Sequence, residues 1–221
     1  MRKKDAIKSA LKLVLISVSC VSFPQATGIK GKTTFNFEQC RISEVIAKLS
    51  DFYDIGISLE IGRMDEVATN VVVDIIAREH PVTVISNAVA RFGDYAVKED
   101  AQTGSVNVYP NRGSVLEWNI CGCKINNETL WSCMVEADKL GFCRHGVLFA
   151  PERGNLTWTD LPITVEFPKK PTSAIHALNL IAARLPFRAR WIIHHPIANK
   201  YALLSFVRYG TPSLPNDEGI K

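Results

Sequence analysis

The chain has 221 residues, with 26 Lys and Arg against 22 Asp and Glu, 47% apolar side chains and 22% charged ones. With a mean hydropathy near zero, this composition excludes a disordered, collagenous or coiled-coil chain and describes one large or two small globular domains. The formal charge of +4 and the pI of about 8.7 raise an anionic partner, so the placement of the charges matters.

Much of the basicity lies at the start. Arg2, Lys3, Lys4, Lys8 and Lys12 precede or enter the apolar run from Leu11 to Val21, which gives way to Ser22-Phe23-Pro24-Gln25-Ala26. A basic head, a short apolar segment and small residues are the pattern of a secretory signal peptide, here residues 1–26. The run is too short to cross a hydrocarbon core of about 30 Å as a helix, and no later segment reaches the roughly 18 apolar residues that spanning needs. The expectation is an exported protein, periplasmic or extracellular, with no transmembrane segment. Cys20 follows Ser17-Val18-Ser19 and is where a lipid anchor would attach, but a bacterial lipobox usually has Leu where Ser17 stands. Cleavage by an ordinary signal peptidase after Cys20, Ser22 or Ala26 is the preferred reading. Removing residues 1–26 takes five basic and one acidic side chain, a net of +4, and leaves zero. Up to residue 113 the remainder holds nine basic and twelve acidic side chains, and beyond it twelve and nine, so the halves carry −3 and +3.

In chain order, Phe35 to Glu38 alternates like a half-buried strand. Arg41 to Phe52 has Ile42, Val45, Ile46 and Leu49 at the spacing of one helical face. Ile55, Ile57 and Leu59 share a strand face, with Gly56 suited to the corner before it. The β-branched stretch Val71 to Ile76 reads as a strand, and Val84, Ile85, Ala88, Val89 and Phe92 return to helical period. Tyr95 to Val97 and Val106 to Tyr109 form a hairpin around Ala101 to Gly104. The second half replays this order. A shift of 85 residues puts Val45 on Leu130, Ile46 on Trp131, Gly56 on Gly141 and Ile57 on Phe142, and a shift of 90 puts Pro81 on Pro171 and Ile85 on Ile175. The strand Ile163 to Phe167 and the hairpin Phe187 to Ile193 with Tyr201 to Val207, turning at residues 195–199, complete the copy. The expected fold is α+β, two small β-α-β-β-α-β-β domains with helices packed on mixed sheets, at 33–110 and 114–209, with a hinge at residues 111–113 and a tail at 210–221.

This succession, from Phe35-Asn36-Phe37 through Ile42-Ser43-Glu44-Val45-Ile46-Ala47-Lys48-Leu49, Ile55-Gly56-Ile57 and the Val-rich strand to Pro81-Val82-Thr83-Val84-Ile85, resembles the short N-terminal (STN) domain of secretins and TonB-dependent receptors. Leu116 to Val207 resembles a more diverged member of the group. The resemblance implies a periplasmic, non-catalytic docking module without a cofactor, whose partner is another envelope protein and which is accessory to a secretin or TonB-dependent system. The family has no catalytic residues to carry over.

Other chemistry needs weighing against that reading. Beyond the signal the cysteines are Cys40, Cys121, Cys123, Cys133 and Cys143, an odd number, so at least one has no partner within the chain. Cys121, Cys123, Cys133 and Cys143, with His145 just beyond, have the ligand types of a zinc site without the C-x2-C spacing of a knuckle. A disulfide within this cluster suits an exported protein, and buried thiols facing each other across a strand and helix account for the same pattern. Cys40 is the candidate unpaired thiol. His80, His176, His194 and His195 are scattered. A Cys143–His145 nucleophile pair lacks a nearby group to orient its base. Asp51 with Asp54, and Glu136 with Asp138, read as solvated helix faces. Arg184, Arg188, Arg190, Lys200 and Arg208, interleaved with Trp191, Tyr201, Phe206 and Tyr209, form a basic, aromatic hairpin. Such a hairpin stacks bases in some folds, although export argues against nucleic acid, and Arg184, Arg188, Arg190 and Lys200 are instead the candidate partner-facing cations. Asn127-Glu128-Thr129 and Asn155-Leu156-Thr157 are glycosylation sequons, relevant only in a eukaryotic secretory pathway. The alternatives to a docking module are therefore a metal or redox protein built on the cysteine cluster and a nucleic-acid-binding protein.

Overall fold

A computed structural model describes residues 32–62, 68–76, 79–120, 123–136, 138–150, 162–195 and 200–210. The signal segment with Cys20, the sequon at Asn155, Cys121 and the tail beyond residue 210 lie outside the described residues.

The first half runs β1 (Lys32–Cys40), α1 (Ile42–Tyr53), β2 (Ile57–Glu60), β3 (Thr69–Ile76), α2 (Pro81–Val89), β4 (Tyr95–Asp100) and β5 (Ser105–Pro110). The period-3.6 stripe of α1 buries Ile42, Val45, Ile46 and Leu49. At its start the Glu44 carboxylate accepts from the Arg41 backbone N–H at 3.1 Å. At its end Asp54 takes a left-handed conformation, φ 56°, and the Ser50 hydroxyl donates to the Ile55 carbonyl at 2.6 Å, so the chain turns sharply into β2. Proline at the first position of α2 and the His80 ring, which accepts from Val82 N–H at 3.3 Å, start the second helix.

The second half runs β6 (Asn119–Ile120), β7 (Lys124–Thr129), a π-turn (Ser132–Glu136), a 3₁₀ turn (Cys143–His145), β8 (Val147–Phe149), β9 (Pro162–Glu166), β10 (Thr172–Ser173), α3 (Ala174–Ala182), β11 (Ala189–His194) and β12 (Ala202–Arg208). The sequence places a helix across Leu130 to Ala137, matching α1. Among the described residues a short π-turn, Ser132–Glu136, stands there, and Trp131, aligned with the fully buried Ile46, is 42% exposed.

The sheets are mixed and the helices pack on them, giving an α+β fold. A six-stranded sheet has the order β4-β5-β2-β11-β12-β8, while β1 pairs with β3, β7 with β9 and β6 with β10. The main sheet therefore takes strands from both halves and joins them by the parallel pairing of β2 with β11, Leu59 opposite Ile192 and Glu60 opposite Ile193. The pairing scheme recurs on either side of that seam. In the first half β4 and β5 are antiparallel and β5 and β2 parallel; in the second, β11 and β12 are antiparallel and β12 and β8 parallel. The β1·β3 and β7·β9 ribbons are both antiparallel and both bulged, with Gln39 (φ 47°) and Asn127 (φ 54°) left-handed at the bulges.

These pairings correct the alignment of the halves. Val106 N–H donates to Gly56 O at 2.9 Å and Ala202 N–H to Gly146 O at 2.8 Å, so Gly56 corresponds to Gly146 and Ile57 to Val147, not to Gly141 and Phe142. Likewise the buried Val84, Ile85, Ala88 and Val89 of α2 match Ala177, Leu178, Ile181 and Ala182 of α3. Ile85 corresponds to Leu178 rather than Ile175. The 85-residue shift fails because the π-turn supplies fewer residues than α1 and the chain makes up the difference before β8.

The two halves cover opposite faces of the shared sheet. Residues of α1 and α2 cluster with Ile57, Leu59, Val106, Val108 and Ile192, whereas Met134 and residues of α3 cluster with Val147, Trp191, Ile193, Leu204 and Phe206. Ile192 and Ile193, adjacent on β11, point to opposite faces and so enter different cores.

The seam also carries buried polar groups. Glu60 is fully buried. Its carboxylate accepts from the Ser114 hydroxyl at 2.5 Å and Val115 N–H at 2.8 Å, and lies 3.2 Å from His195 Nε2. A carboxylate removed from water costs several kcal/mol unless it is paired and hydrogen-bonded, and three partners meet that condition. On the same side of the sheet Asp100 accepts from Asn179 Nδ2 at 2.8 Å and sits 2.6 Å from His176 Nδ1, while Asn179 Oδ1 accepts from the Trp191 indole at 2.8 Å. A third tie joins Arg188 to the Asp54 carboxylate and carbonyl, with the guanidinium 4.9 Å above the Tyr209 ring. Tyr209 in turn packs on Gly56, where a Cβ would lie 3.2 Å from the ring.

Burial opposes ionisation of Asp100, but the hydrogen bonds from Asn179 and His176 outweigh it and hold the carboxyl below its ordinary value. A depressed folded-state value contributes stability above the unfolded value of about 3.9, and that contribution is lost as pH falls through the folded value. Asp100→Ala should lower unfolding free energy at pH 7 by about 1–3 kcal/mol. Denaturant titrations at pH 7 and below pH 4 should show the gap between variant and parent narrowing in acid.

Candidate docking surface

The outer face of β1·β3 is the largest departure from ordinary burial. Strand alternation in β3 buries Val71, Val73 and Ile75 and turns the intervening residues outward. Two of these are apolar, Val72 at 66% and Ile76 at 57% exposure. Ile76 lies opposite Lys32, Asp74 opposite Thr34 and Val72 opposite Asn36. The face therefore alternates an apolar residue, a polar cluster and an apolar residue. Asp74 accepts from Thr34 at 2.8 Å and pairs with Lys32 at 2.7 Å, and these hydrogen bonds lower its pKa. At the bulge Gln39 N–H donates to Asn70 Oδ1 at 2.8 Å, and a groove of about 450 Å³ opens between Asn36, Phe37, Glu38, Gln39, Asn70 and Val72. Beneath it Phe35 meets Phe52 edge-on at 5.3 Å, fixing the ribbon on α1. Among the described residues β1 and β3 each have one hydrogen-bonded neighbour, so each presents an open edge. Its β-branched content predicted the strand, but Val72 and Ile76 were not singled out, although two apolar residues on its solvent-facing parity are a readable signal.

A second concavity, about 250 Å³, lies at the seam and is lined by Glu60, Gly62, Pro110, Arg112, Gly113, Val115 and His195. Its acid and imidazole were not paired by sequence reasoning; the only trace is a lone Glu set between Leu59 and Ile61. Glu60 stands between Ser114 and His195, so His195 is not placed to take a proton from the Ser114 hydroxyl, as a nucleophilic triad requires.

The candidate partner-facing cations separate. Arg184 and Lys200 are exposed. Arg188 is held by Asp54, whose hydrogen bond raises its pKa despite partial burial. Arg190 is only 6% exposed and donates to Ile57 O at 3.3 Å, so it braces β2 and does not face a partner. The aromatic residues of this hairpin divide similarly: Trp191 and Phe206 are core residues at 0% and 1% exposure, beyond the reach of bases, and Tyr201 is 48% exposed.

Cys40, Cys123, Cys133 and Cys143 are free thiols, so no disulfide joins Cys123, Cys133 and Cys143 to one another. Among the described residues no group of three His, Cys, Asp or Glu side chains is placed to hold a metal ion. The Cys133 thiol contacts Leu130 O at 3.5 Å and that of Cys143 contacts Met134 O at 3.6 Å. His145 is not engaged with Cys143 but stacks on Trp118, centroids 4.3 Å apart and planes at 8°. Asp51 and Asp54 lie on the solvent-exposed side, as read from the sequence, and Asp51 and Asp138 also accept backbone hydrogen bonds. Asp51 accepts from Gly210 N–H at 3.0 Å, and Asp138 accepts from Cys143 N–H at 3.0 Å and Arg144 N–H at 3.3 Å.

Among the described residues no helix is long and apolar enough to cross a membrane. No family model, curated protein or solved structure matches the chain.

Burial pushes the Cys133 thiol up to about 11 and raises those of Cys40, Cys123 and Cys143 as well. At pH 8 only about one Cys133 in a thousand is the reactive thiolate. Alkylation of the native protein followed by peptide mass spectrometry should therefore label the half-buried Cys123 and Cys143 first and Cys133 last, with all equally reactive in denaturant.

Proposed function

We propose that the chain is an exported, non-catalytic docking module of the cell envelope that engages another envelope protein through the β1·β3 ribbon. The observation that carries this reading is the pair Val72 and Ile76, exposed on a strand whose other face buries Val71, Val73 and Ile75. Surface apolar residues flanking a polar cluster and beside an open strand edge suit strand addition: backbone bonds supply affinity and the groove at the bulge supplies side-chain selection. The signal-like start and the resemblance to secretin and receptor N-terminal domains support the envelope address and an accessory role beside a secretin or TonB-dependent system. Several polar residues that sequence inspection offers to catalysis, Asp51, Asp54, Asp138 and His145, instead brace turns and ring stacks.

Two measurements test this. Cell fractionation should recover a processed chain from the envelope, and an unprocessed cytoplasmic chain would sink the reading. Crosslinking in envelope fractions should give one adduct that weakens at least tenfold in Val72→Lys with Ile76→Lys, about 1.4 kcal/mol, and persists in the surface control Lys169→Glu. Both substitutions sit on an exposed face, so each should change stability by no more than about 0.5 kcal/mol.

A further inference from the structure

We infer that the groove at the β1·β3 bulge takes a lysine or arginine of the partner's docking segment, seated between Asn36 and Glu38, while an aliphatic residue two positions further along that segment covers Val72. The inference rests on the docking reading above and adds the chemistry of the partner.

The chain contains its own control for this face. The bulges of β1·β3 and β7·β9 are built alike: Gln39 (φ 47°) and Asn127 (φ 54°) are both left-handed. Each turns its N–H onto a side chain of the opposite strand, Gln39 to Asn70 Oδ1 at 2.8 Å and Asn127 to Thr164 Oγ1 at 3.1 Å. Gln39 therefore corresponds to Asn127, and Asn70 to Thr164. The ladders extend the match, since Asn36 lies opposite Val72 as Lys124 lies opposite Glu166. All four of these residues are on the outer, exposed face. In the second ribbon the pair carries opposite charges across the strands, an ordinary way to furnish a solvated sheet face. In the first it is an amide beside a valine that is 66% exposed. The bulge does not require that valine, because the same geometry stands with Glu166 in its place. An exposed apolar residue that the local fold does not need points to contact outside the chain.

The polar groups around Val72 fall into two sets. Asp74, Thr34 and Lys32 are occupied with one another, and Asn70 with Gln39. Among the described residues the Asn36 amide and the Glu38 carboxylate have no hydrogen-bond or ion-pair partner. Both are exposed, and both line the groove along with the apolar Phe37 and Val72. An uncommitted carboxylate and amide between apolar walls suit a long cationic side chain: its methylenes lie on Phe37 and Val72 while its head donates to Glu38 and to Asn36 Oδ1. An acidic segment would be repelled by Glu38, with Lys32 already held by Asp74 and the Lys48 ammonium lying 5.6 Å over the Phe35 ring. The formal −3 of the first half favours the same sign of partner.

Strand geometry sets the spacing. Alternate residues of an extended chain are roughly 6.7 Å apart, so a segment laid along the outer face meets the groove, Val72, Asp74 and Ile76 with every second side chain. The partner segment is therefore basic at its first position, aliphatic at its third and seventh, and small and polar at its fifth, over the Asp74 cluster.

The test adds Glu38→Lys and Glu38→Gln to the envelope crosslinking of the full chain. The partner adduct should weaken at least about fivefold in Glu38→Lys and by less in Glu38→Gln, and the parent's adduct should fall as salt rises from about 0.05 to 0.5 M. Glu166→Lys, the same charge change on the polar ribbon, should leave the adduct intact. A displayed library of random nonapeptides selected on the full chain should be enriched in a basic residue two positions from an aliphatic one, and selection on Glu38→Lys should replace the basic residue with an acidic one. An undiminished adduct in Glu38→Lys, or enriched peptides whose charge is indifferent to that substitution, would overturn the inference. The docking reading is decided separately. An adduct lost with Val72→Lys and Ile76→Lys but kept in Glu38→Lys removes the cation and leaves the docking face, whereas an adduct that survives all three removes both. Glu38 has no partner to lose, so the circular dichroism of both variants should match the parent.

Discussion

The parallel pairing of β2 with β11 is the constraint on which the rest of this structure depends. It turns two three-stranded arrays into one sheet, and because β2 is central it makes both of its neighbours obligatory. Beneath packed layers on both faces, β2 and its neighbour β5 have nowhere to send a polar side chain except into protein, and this is why Glu60, Ser58 and Asn107 are buried. Asn107 Nδ2 reaches Lys98 O of the neighbouring β4 at 3.5 Å, while Ser58 and Glu60 take partners from the other half or from the connection between halves. Ser58 accepts from Trp191 N–H at 3.2 Å, and Glu60 takes Ser114, Val115 and His195. The charged ties sit around the same seam: Asp100 with α3 on one face, Arg188 with the end of α1 near the other. The halves are thus docked by specific polar contacts laid over a continuous backbone ladder, an arrangement that fixes register more tightly than apolar contact alone.

Opposite-face packing follows from the same pairing. Leu59 and Ile192 point one way, Glu60 and Ile193 the other. Were both helical layers on one face, they would compete for the strip above β2 and β11, and the reverse face would lie open to water. With one layer on each face, β11 is buried on both sides, and every residue from Ala189 to Ile193 is below one-tenth exposed. This places an arginine, Arg190, inside the protein with its guanidinium on the Ile57 carbonyl.

The sequence carried the local parts of this fold and not the long-range ones. Helix α1 was legible because its apolar face is complete, and the hairpin of β4 and β5 because its turn residues are conspicuous. Strand β8 was missed because three residues are too few to show alternation, and β6 and β10 are shorter still. The alignment of the halves slipped because the π-turn replaced a twelve-residue helix, so spacing between punctuating glycines no longer measured equivalence. Gly141 and Gly146 are both left-handed, φ 76° each, and only the hydrogen bond to Ala202 separates them. The seam left no signal, since pairing between residues 59 and 192 has no local period. The candidate docking face was half legible: its strand could be read from β-branching, but a stretch apolar at five of six positions does not by itself show which residues face outward.

Strand β2 also sets an order of events. It is made early, yet the strand that covers its open side comes more than a hundred residues later, at Ile192 and Ile193. During synthesis the first half can collapse around α1, α2 and the β4·β5 hairpin while β2 still offers an uncovered ladder. Closing so long a loop is slow, and an unpaired apolar edge in the interval is where wrong partners add. A chain of this design should therefore depend on a holding factor for exposed strands until its final hairpin arrives, and truncations that remove β11 should fail by aggregation, not by simple unfolding.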